Sequence, residues 1–242
     1  MKKLLSLAAV ITFLVVLSGC NVFFGGTNAI TGTGSMTTRS IDASNFTGIY
    51  LDGVFNVTMN ESPNFSVSLT MQENLFDYLE TDVSGGTFNV SFSRGISIQT
   101  GNTPSLVINA PVISNIVISG AADLTNQGTI TASNLTISVH GASDISLNID
   151  VNSLDIIVEG AGNANLTGNA GDVNIRVDGA GDINAEFLES LHATVLVNGA
   201  GNVRVGVIET LDVELNGIGS VQYFGDPDVT SQINGIGTVR QG

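Results

Sequence analysis

The second half of the chain repeats one pattern, in which apolar and polar residues alternate up to a glycine. Seven such segments occur, with successive spacings of 21, 19, 19, 20, 18 and 18 residues, and they begin at Gly120, Gly141, Gly160, Gly179, Gly199, Gly217 and Gly235. A period near 19 residues is too short for paired-helix repeats or propeller blades, and the leucine-rich consensus with asparagine is not present. The pattern therefore predicts a β-solenoid.

The alternation around each glycine predicts which residues face the core. Residues six, four and two positions before the glycine are mostly Leu, Ile or Val, as expected for one face of a strand. The apolar residue four positions after it predicts a second strand, and the residue directly after it, usually alanine, is expected to lie inside the corner. We expect the glycine to supply a positive φ or a tight bend. The column four positions before the glycine contains Ile116, Ile137, Ile156, Ile175, Val195 and Val213.

Stacking of such coils explains how they become stable. A single coil cannot bury its own apolar side, whereas coils about 4.8 Å apart satisfy both the backbone and the core. The expected fold is all-β, a right-handed parallel β-helix (β-solenoid) with about 19 residues per coil, because parallel connections favour that hand. An antiparallel sandwich is the alternative, but its strands would not keep one corner motif through seven copies.

Residues 41–112 are less regular and carry most of the phenylalanines. The stretch Ile49–Val57 looks like a degenerate copy of the repeat. Gln72–Leu79 is expected to form a short helical turn, and Ser84-Gly85-Gly86-Thr87 is expected to be a turn between two strands. No linker separates the two halves, so we predict one β-helix domain over residues 39–242, with regular repeats from about 113 to 242 and a less regular N-terminal half.

The first residues have the features of an export signal. Lys2 and Lys3 precede an apolar run that is too short for a membrane-spanning helix of about 20 residues, so residues 1–19 are predicted to be a signal peptide. The run ends in Leu17-Ser18-Gly19-Cys20, which resembles a bacterial lipobox and predicts lipidation of Cys20. The alternative is an ordinary signal peptide with an incidental cysteine. Residues 20–38 are expected to form the lipidated end and a flexible tether.

Charge and composition exclude several classes of protein. The 242 residues contain 22 acidic and 7 basic side chains, for a formal net charge of −15. Such a chain repels phosphate backbones, so nucleic acid is not expected as a partner. Its one cysteine excludes disulfide scaffolds and cysteine-rich zinc sites.

Two outward columns carry the polar residues of the repeat. The aspartates three positions after the glycine suggest either calcium binding or a polar ladder that bonds the corner backbone; this column contains Asp123, Asp144, Asn163, Asp182, Asn202, Ser220 and Thr238. We favour the ladder, because Asp and Asn alternate from Asp144 to Asn202 and so keep carboxylates apart. Calcium would need a second set of oxygen ligands, which the opposite corner lacks.

The column directly before the glycine brings a histidine and two acids into adjacent coils. His140, Glu159 and Asp178 suggest acid–base chemistry like that of pectin-degrading β-helix enzymes. Such an enzyme needs clustered carboxylates with aromatic residues, or basic residues for uronates, and the repeats are poor in both. A solvated surface is the favoured interpretation. His192 is expected to pack within a strand rather than bind metal, and we assign no catalytic, metal-binding or cofactor-binding residue.

Three parts of the sequence together resemble one bacterial family of exported proteins. These are Phe46–Gly53 followed by Val57, the middle stretch from Asn74 to Phe88, and the repeated Gly-Ala-Gly-Asp and Gly-Ile-Gly segments. The chain is similar from about Ser40 to Gly242 to the family described as putative autotransporter adhesin, head GIN domain, formerly a domain of unknown function. The resemblance implies a right-handed β-helix and an adhesive role, and it implies no catalytic or ligand-binding residues.

The expected function is therefore that of a non-catalytic lipoprotein of the cell envelope, which presents a β-helical surface for adhesion or envelope interaction. Its location would be the outer membrane or cell surface, and its partners the membrane, through the lipid anchor, and a glycan or surface protein. Weak self-association is expected from an uncovered C-terminal strand edge and from Val117, Ile157 and Leu196 on one face. A carbohydrate-active β-helix enzyme, a polysaccharide lyase or hydrolase, is the alternative.

Overall fold

A computed structural model describes residues 28–242 of the chain. About 73% of these residues are in strands and 3% are in helix. Among the described residues, no helix is both long and apolar enough to cross a membrane. The strands of the first half are β1 (Asn28–Thr31), β2 (Met36–Ile41), β3 (Gly48–Asp52), β4 (Val54–Glu61), β5 (Ser66–Gln72), β6 (Leu79–Ser84), β7 (Thr87–Phe92), β8 (Ile96–Gln99) and β9 (Ser105–Ala110), with a 3-10 helix at Glu73–Tyr78.

The second half consists of strands that follow one another around successive coils. Several of them are long because they continue around a corner without a break in pairing. They are β10 (Asn115–Ile118), β11 (Ala121–Gln127), β12 (Ile130–Val139), β13 (Ala142–Val158), β14 (Ala161–Val177), β15 (Ile183–Val197), β16 (Ala200–Leu215), β17 (Ile218–Phe224), β18 (Asp228–Ile233) and β19 (Ile236–Gln241).

Parallel pairing between coils confirms the predicted β-solenoid. Each of β12 to β15 pairs in parallel with the next, so that Ile137, Ile156, Ile175 and Val195 occupy equivalent positions in successive coils. A turn of the solenoid takes about 19 residues, and about 7 turns are stacked. The antiparallel sandwich is excluded for this half, because all of its strand pairs are parallel.

The predicted inward columns form the core. From the coil of Ile116 to that of Val213, the residues four and two positions before the corner glycine are buried, and so are the residues four positions after it from Leu124 to Val221. The degenerate copy at Ile49–Val57 belongs to the same stack, since β3 pairs with β10 and β4 with β11. One continuous core therefore extends through both halves.

Two details of the corner differ from the expectation. The alanines directly after the glycine face outward, and Ala142, Ala161 and Ala200 are exposed. Strand alternation explains this, because a buried residue four positions after the glycine places the residue two positions after it inward, as seen for Ala122. Of the two roles expected for the corner glycines, the positive φ is absent, whereas the bend is confirmed at all seven of them.

Close approach of successive coils explains the corner glycines instead. A Cβ atom at Gly160 would lie 2.0 Å from the carbonyl oxygen of Gly141 and 2.6 Å from that of His140. The amide of Gly160 and that of Glu159 both donate to the carbonyl oxygen of Val139, at 3.1 and 2.9 Å. The corner backbone is thus packed directly on the corner of the coil before it, and no side chain fits between the two.

The N-terminal half closes one end of the solenoid. β5 pairs antiparallel with both β2 and β9, and β6 and β7 form an antiparallel hairpin. The predicted turn is confirmed, with Gly85 and Gly86 at φ 58° and 77°, and the predicted helical turn is the 3-10 helix. The ring of Phe46 lies 5.0 Å from that of Phe65 and 5.4 Å from that of Phe88, so aromatic packing fills this end.

The flexible tether predicted up to residue 38 is wrong for the part that the structure describes. β1 pairs in parallel with β8, and β2 pairs with β5, so the folded region includes residues from Asn28 onward. Threonine and serine in these strands offer no apolar alternation, yet they pair through the backbone. Arg39 bonds Glu73 and lies 4.2 Å from the ring of Phe76. The predicted signal peptide and Cys20 lie outside the described residues.

The apolar spots expected on the outer face are half-buried. Val117, Ile157 and Leu196 are each partly covered, because the register places Tyr50 beside Val117 and the stem of Arg176 between Ile157 and Leu196. The C-terminal coil is more open. Its strands β18 and β19 are almost wholly exposed.

Candidate functional site

A groove runs along the corner of the solenoid, parallel to the stacking direction. The alanines that follow the corner glycines form its floor, and their small size keeps it open. Its volume is about 490 Å³, and it extends over the coils from Val54 to Gly181. Asn56, Asp123, Asp144 and Asn163 line one side, so the predicted polar column borders this groove.

Hydrogen bonds between coils connect this column, which we call the corner ladder, from Asp144 to Ser220. The amide of Asn163 donates to Asp144 at 2.9 Å, and its side-chain oxygen accepts from the backbone N–H of Asp182 at 3.1 Å. Asp182 accepts from both nitrogens of Asn202 at 2.9 Å. Ser220 in turn donates to Asn202 at 2.8 Å. These contacts support the structural interpretation of the column.

The alternation of amide and carboxylate is what allows the ladder to form. Asp123 and Asp144 are direct neighbours in the register, but from Asp144 onward each carboxylate has an amide beside it. Among residues 28–242, no three His, Cys, Asp or Glu side chains form a group that could hold a metal ion. The side-chain oxygens of Asn163, Asp182 and Asn202 accept hydrogen bonds within the ladder.

Replacing Asn163 with aspartate is expected to destabilise the fold by about 1 kcal/mol at low salt. The change removes an amide donor and places a carboxylate between Asp144 and Asp182, about 5 Å from each. Thermal unfolding at low and high ionic strength measures the effect, and about 1 M salt should remove most of it. Asn165→Asp is the matched control, because Asn165 lies between Ser146 and Asn184. Equal losses for both variants would contradict the ladder.

The second outward column also forms hydrogen bonds between coils. Nδ1 of His140 lies 2.8 Å from a carboxylate oxygen of Glu159, and both side chains are about half exposed. The amide of Asn198 donates to Asp178 at 2.6 Å. Asn216 donates to Asn198 at 2.9 Å, and Asn234 donates to Asn216 at 2.8 Å. An asparagine ladder thus continues where the acidic residues end.

The environment of Asp178 does not suit a general acid. The amide of Asn198 and the guanidinium of Arg176, whose Nε lies 2.6 Å away, hold the pKa of this carboxyl below its usual range. The side chain therefore remains ionised near neutral pH and has no proton to donate. The structure pairs His140 with Glu159 at the surface, and none of His140, Glu159 and Asp178 lines the corner groove.

His192 lies at the surface, whereas the sequence predicts that it packs within a strand. Its Nδ1 is 2.9 Å from the hydroxyl oxygen of Thr210, and its Nε2 is 3.7 Å from a carboxylate oxygen of Glu209. Strand alternation explains this, because the next residue, Ala193, is buried, and Asp172, the equivalent of His192 in the preceding coil, is also exposed.

Sequence reasoning missed an exposed apolar group near the same irregularity. Phe187, Leu191 and Ile208 are exposed where β15 and β16 depart from regular pairing. Two features of the sequence could have indicated this group. The repeat spacing between Gly179 and Gly199 is 20 residues, and Phe187 takes the position that Thr167 has in the preceding coil.

The fold and these columns define a class of repeat protein whose stacked coils present an extended, rigid surface. Within that class, the chain belongs to the family described as "Putative auto-transporter adhesin, head GIN domain", whose model matches residues 45–227. The predicted family resemblance is thereby confirmed. No curated protein matches the chain significantly.

Solved structures share this fold at low sequence identity. A putative adhesin from Bacteroides fragilis is 22% identical, with a TM-score of 0.83 over 88% of this chain and 100% of that one. A putative adhesin from Parabacteroides merdae is 21% identical, with a TM-score of 0.69 over 89% and 99%. A putative lipid binding protein from Parabacteroides distasonis is 21% identical, with a TM-score of 0.70 over 89% and 100%. At such identity these likenesses concern the fold alone.

Proposed function

We propose that this protein is a non-catalytic lipoprotein of the cell envelope, which uses its solenoid as an adhesive surface. The observation that carries the proposal is the pair of outward ladders, in which polar side chains bond those of the next coil. Such a surface is rigid before any partner arrives, and little side-chain entropy remains to be lost on binding. Membership of a family described as adhesins supports the same role.

The proposed anchor is the lipidated Cys20. Leu17-Ser18-Gly19-Cys20 follows a short apolar run with two lysines before it, as in exported lipoproteins. Acyl chains contribute about 0.8 kcal/mol per buried CH₂, so two or more of them hold a protein stably on a membrane. Only seven residues separate Cys20 from β1, which would keep the solenoid close to the membrane surface.

Cys20→Ala should release the protein from the membrane fraction or block its processing, because no thiol would remain to accept the lipid. Metabolic labelling with palmitate, followed by fractionation of cells that express the full chain, measures both effects. Ser18→Ala is the matched control and should leave labelling unchanged. The anchor would be refuted if the wild type carried no label and if it and the Cys20→Ala variant stayed in the membrane fraction to the same extent.

Attachment of cells tests the adhesive role. Cells that display the full chain should adhere to mucin-coated or fibronectin-coated surfaces, or to one another, more than cells without it. Cells that carry the Cys20→Ala variant should lose this gain, because the released protein cannot tether them. Equal attachment by cells with and without the chain on all three surfaces would count against adhesion.

The alternative function, a carbohydrate-active enzyme, rests on His140 and Glu159 in adjacent coils. Incubation of the full protein with polygalacturonate and with neutral polysaccharides, followed by detection of unsaturated uronates and new reducing ends, tests it. Product formation that is lost in Glu159→Gln would establish catalysis and overturn the non-catalytic proposal.

A further inference from the structure

An irregular segment between β15 and β16 turns large apolar side chains toward solvent. Pairing moves from Ala185 with Val205 directly to Glu189 with Gly206, so three residues of β15 have no partner on β16. Leu188 turns inward and is fully buried, whereas Phe187 turns outward with 67% of its surface exposed. A β-bulge of this kind re-aims a side chain at a defined position.

A second irregularity follows at once and extends the apolar group. Pairing moves from Ser190 with Val207 to His192 with Thr210, which leaves Leu191 opposite Ile208 and Glu209. Leu191 and Ile208 are both exposed, Ile208 by 48%. The buried hydroxyl of Ser190 donates to the carbonyl oxygen of Gly206 at 2.7 Å, so the irregular backbone is held in place.

A hollow of about 400 Å³ lies beside Phe187. Phe187, Ile208 and Phe224 provide its apolar wall, and Gly168, Gly206 and Gly225 leave its floor without side chains. This volume accommodates a large apolar side chain from another molecule. We call Phe187, Leu191 and Ile208, together with this hollow, the bulge patch.

Carboxylates surround the bulge patch. Glu186 and Glu189 line the hollow, and Glu209 follows Ile208 directly. Arg204 lies 3.8 Å from Glu186, and His192 lies 3.7 Å from Glu209. The three carboxylates outnumber the basic side chains beside them, so the rim carries an excess of negative charge, and so does the whole chain, at −15.

We propose that the bulge patch docks a protein segment that presents an apolar side chain flanked by lysine or arginine. The apolar side chain would enter the hollow beside Phe187, and the basic residues would face Glu186, Glu189 and Glu209. An aromatic anchor with a pocket beside it and a charged rim has the form of a binding hot spot. The proposal rests on the adhesive role and deepens it by naming a surface and the chemistry of its partner.

The charge of the patch distinguishes this partner from two others. A second copy of the chain would bring the same carboxylates against the patch in a symmetric dimer, and in any other orientation its own net negative charge, both of which are unfavourable. A glycan would use the flat face of Phe187, but it would gain nothing from Ile208 and Leu191 side by side. An apolar and basic peptide uses all of these features at once.

Binding of a short peptide that alternates lysine and leucine tests the proposal. The full lipoprotein is held in nanodiscs of uncharged lipid, with empty nanodiscs as the blank. A peptide that alternates lysine and serine controls for charge, and one that alternates glutamate and leucine controls for apolar content. The lysine–leucine peptide should bind more tightly than either, and its affinity should fall as salt rises.

Variants of the patch decide where the peptide binds. Phe187→Ser and Ile208→Ser should each weaken binding of the lysine–leucine peptide by about tenfold, and Glu189→Gln should weaken it less. Val112→Ser, at a valine 41% exposed elsewhere on the chain, is the matched control and should have no effect. Circular dichroism establishes that each variant is folded.

Three results would overturn the proposal. One is equal peptide binding by wild type and Phe187→Ser, and another is equal binding of the lysine–leucine and lysine–serine peptides. The third is a lack of peptide binding together with a different interaction that depends on Phe187. That interaction would be either binding of cellohexaose or self-association of the chain. If cells still attach through the chain in any of these cases, the adhesive role stands and only the bulge patch is refuted.

Discussion

Replacing Ile175 with aspartate is expected to destabilise the protein by about 4 kcal/mol or more, enough to leave much of the population unfolded at physiological temperature. Ile175 is 2% exposed and lies between Ile156 and Val195 in the stacked core. A carboxylate at this position would be buried among apolar side chains with no cation beside it. Urea or thermal unfolding of the full protein measures the loss.

The adjacent outward residue provides the control for this prediction. Asn174→Ser removes one exposed hydrogen bond, from the amide of Asn174 to Asp155 at 2.9 Å, and should cost about 1 kcal/mol or less. A serine is the better choice here, because an aspartate would face Asp155. If the two variants melted at the same temperature, the assigned inward and outward positions would be wrong.

Gly160→Val should be comparably damaging, for a reason that lies in the backbone. The new Cβ would fall 2.0 Å from the carbonyl oxygen of Gly141, and neither group can move without separating the two coils. Separation breaks the corner hydrogen bonds to Val139 and opens the core below. We expect a loss of about 3 kcal/mol or more in the free energy of unfolding. Calorimetry measures this loss, and amide hydrogen exchange at positions 159 and 160 would locate the damage.

Gly101→Ala is the matched control for the corner glycines. A Cβ at Gly101 has no atom within 4 Å, and its φ is not positive, so alanine should be neutral or stabilising by up to about 1 kcal/mol. A Gly160→Val variant as stable as Gly101→Ala would mean that the coils are not packed corner on corner.

The core could be predicted from the sequence because strand alternation has a period of two and the repeat supplies many copies of it. Where one coil is ambiguous, the equivalent residues of the other coils show which positions face inward. The inward placement predicted for the columns of Ile137 and Val139 is therefore confirmed. At the corner, the glycine and the two residues after it are all small in most coils, so hydrophobicity does not show which of them faces inward. The phase of the corner is therefore ambiguous in the sequence, and the inward placement predicted for the alanines is wrong, since Ala142 and Ala161 face solvent.

The first strands could not be predicted because their pairing partners are distant in sequence. β1 pairs with β8 and β2 with β5, and neither strand has apolar alternation of its own. Backbone pairing with an ordered partner strand stabilises a segment whose composition suggests a tether.

The polar columns were predictable and the bulge patch was not. A column follows from the repeat, so its members and their hydrogen bonds could be anticipated from the alternation of Asp144, Asn163 and Asp182. Phe187 is exposed only because the register shifts between Ala185 and Glu189, and a shift is a property of two strands together. An insertion of one residue in the repeat shows which coil is irregular, but it does not show which side chain turns outward.

Attachment of cells that display the full chain tests most directly the claim that this is a binding protein rather than an enzyme. Cells that display the wild type, Phe187→Ser or the double variant Glu159→Gln/Asp178→Asn are compared. Their attachment is measured to mucin, to fibronectin and to other cells of the same kind. We expect the double variant to attach as the wild type does, because the new amides at positions 159 and 178 would keep the side-chain oxygens that take part in the ladder's hydrogen bonds, and we expect Phe187→Ser to attach less. Loss of attachment in the double variant, with none in Phe187→Ser, would contradict this claim.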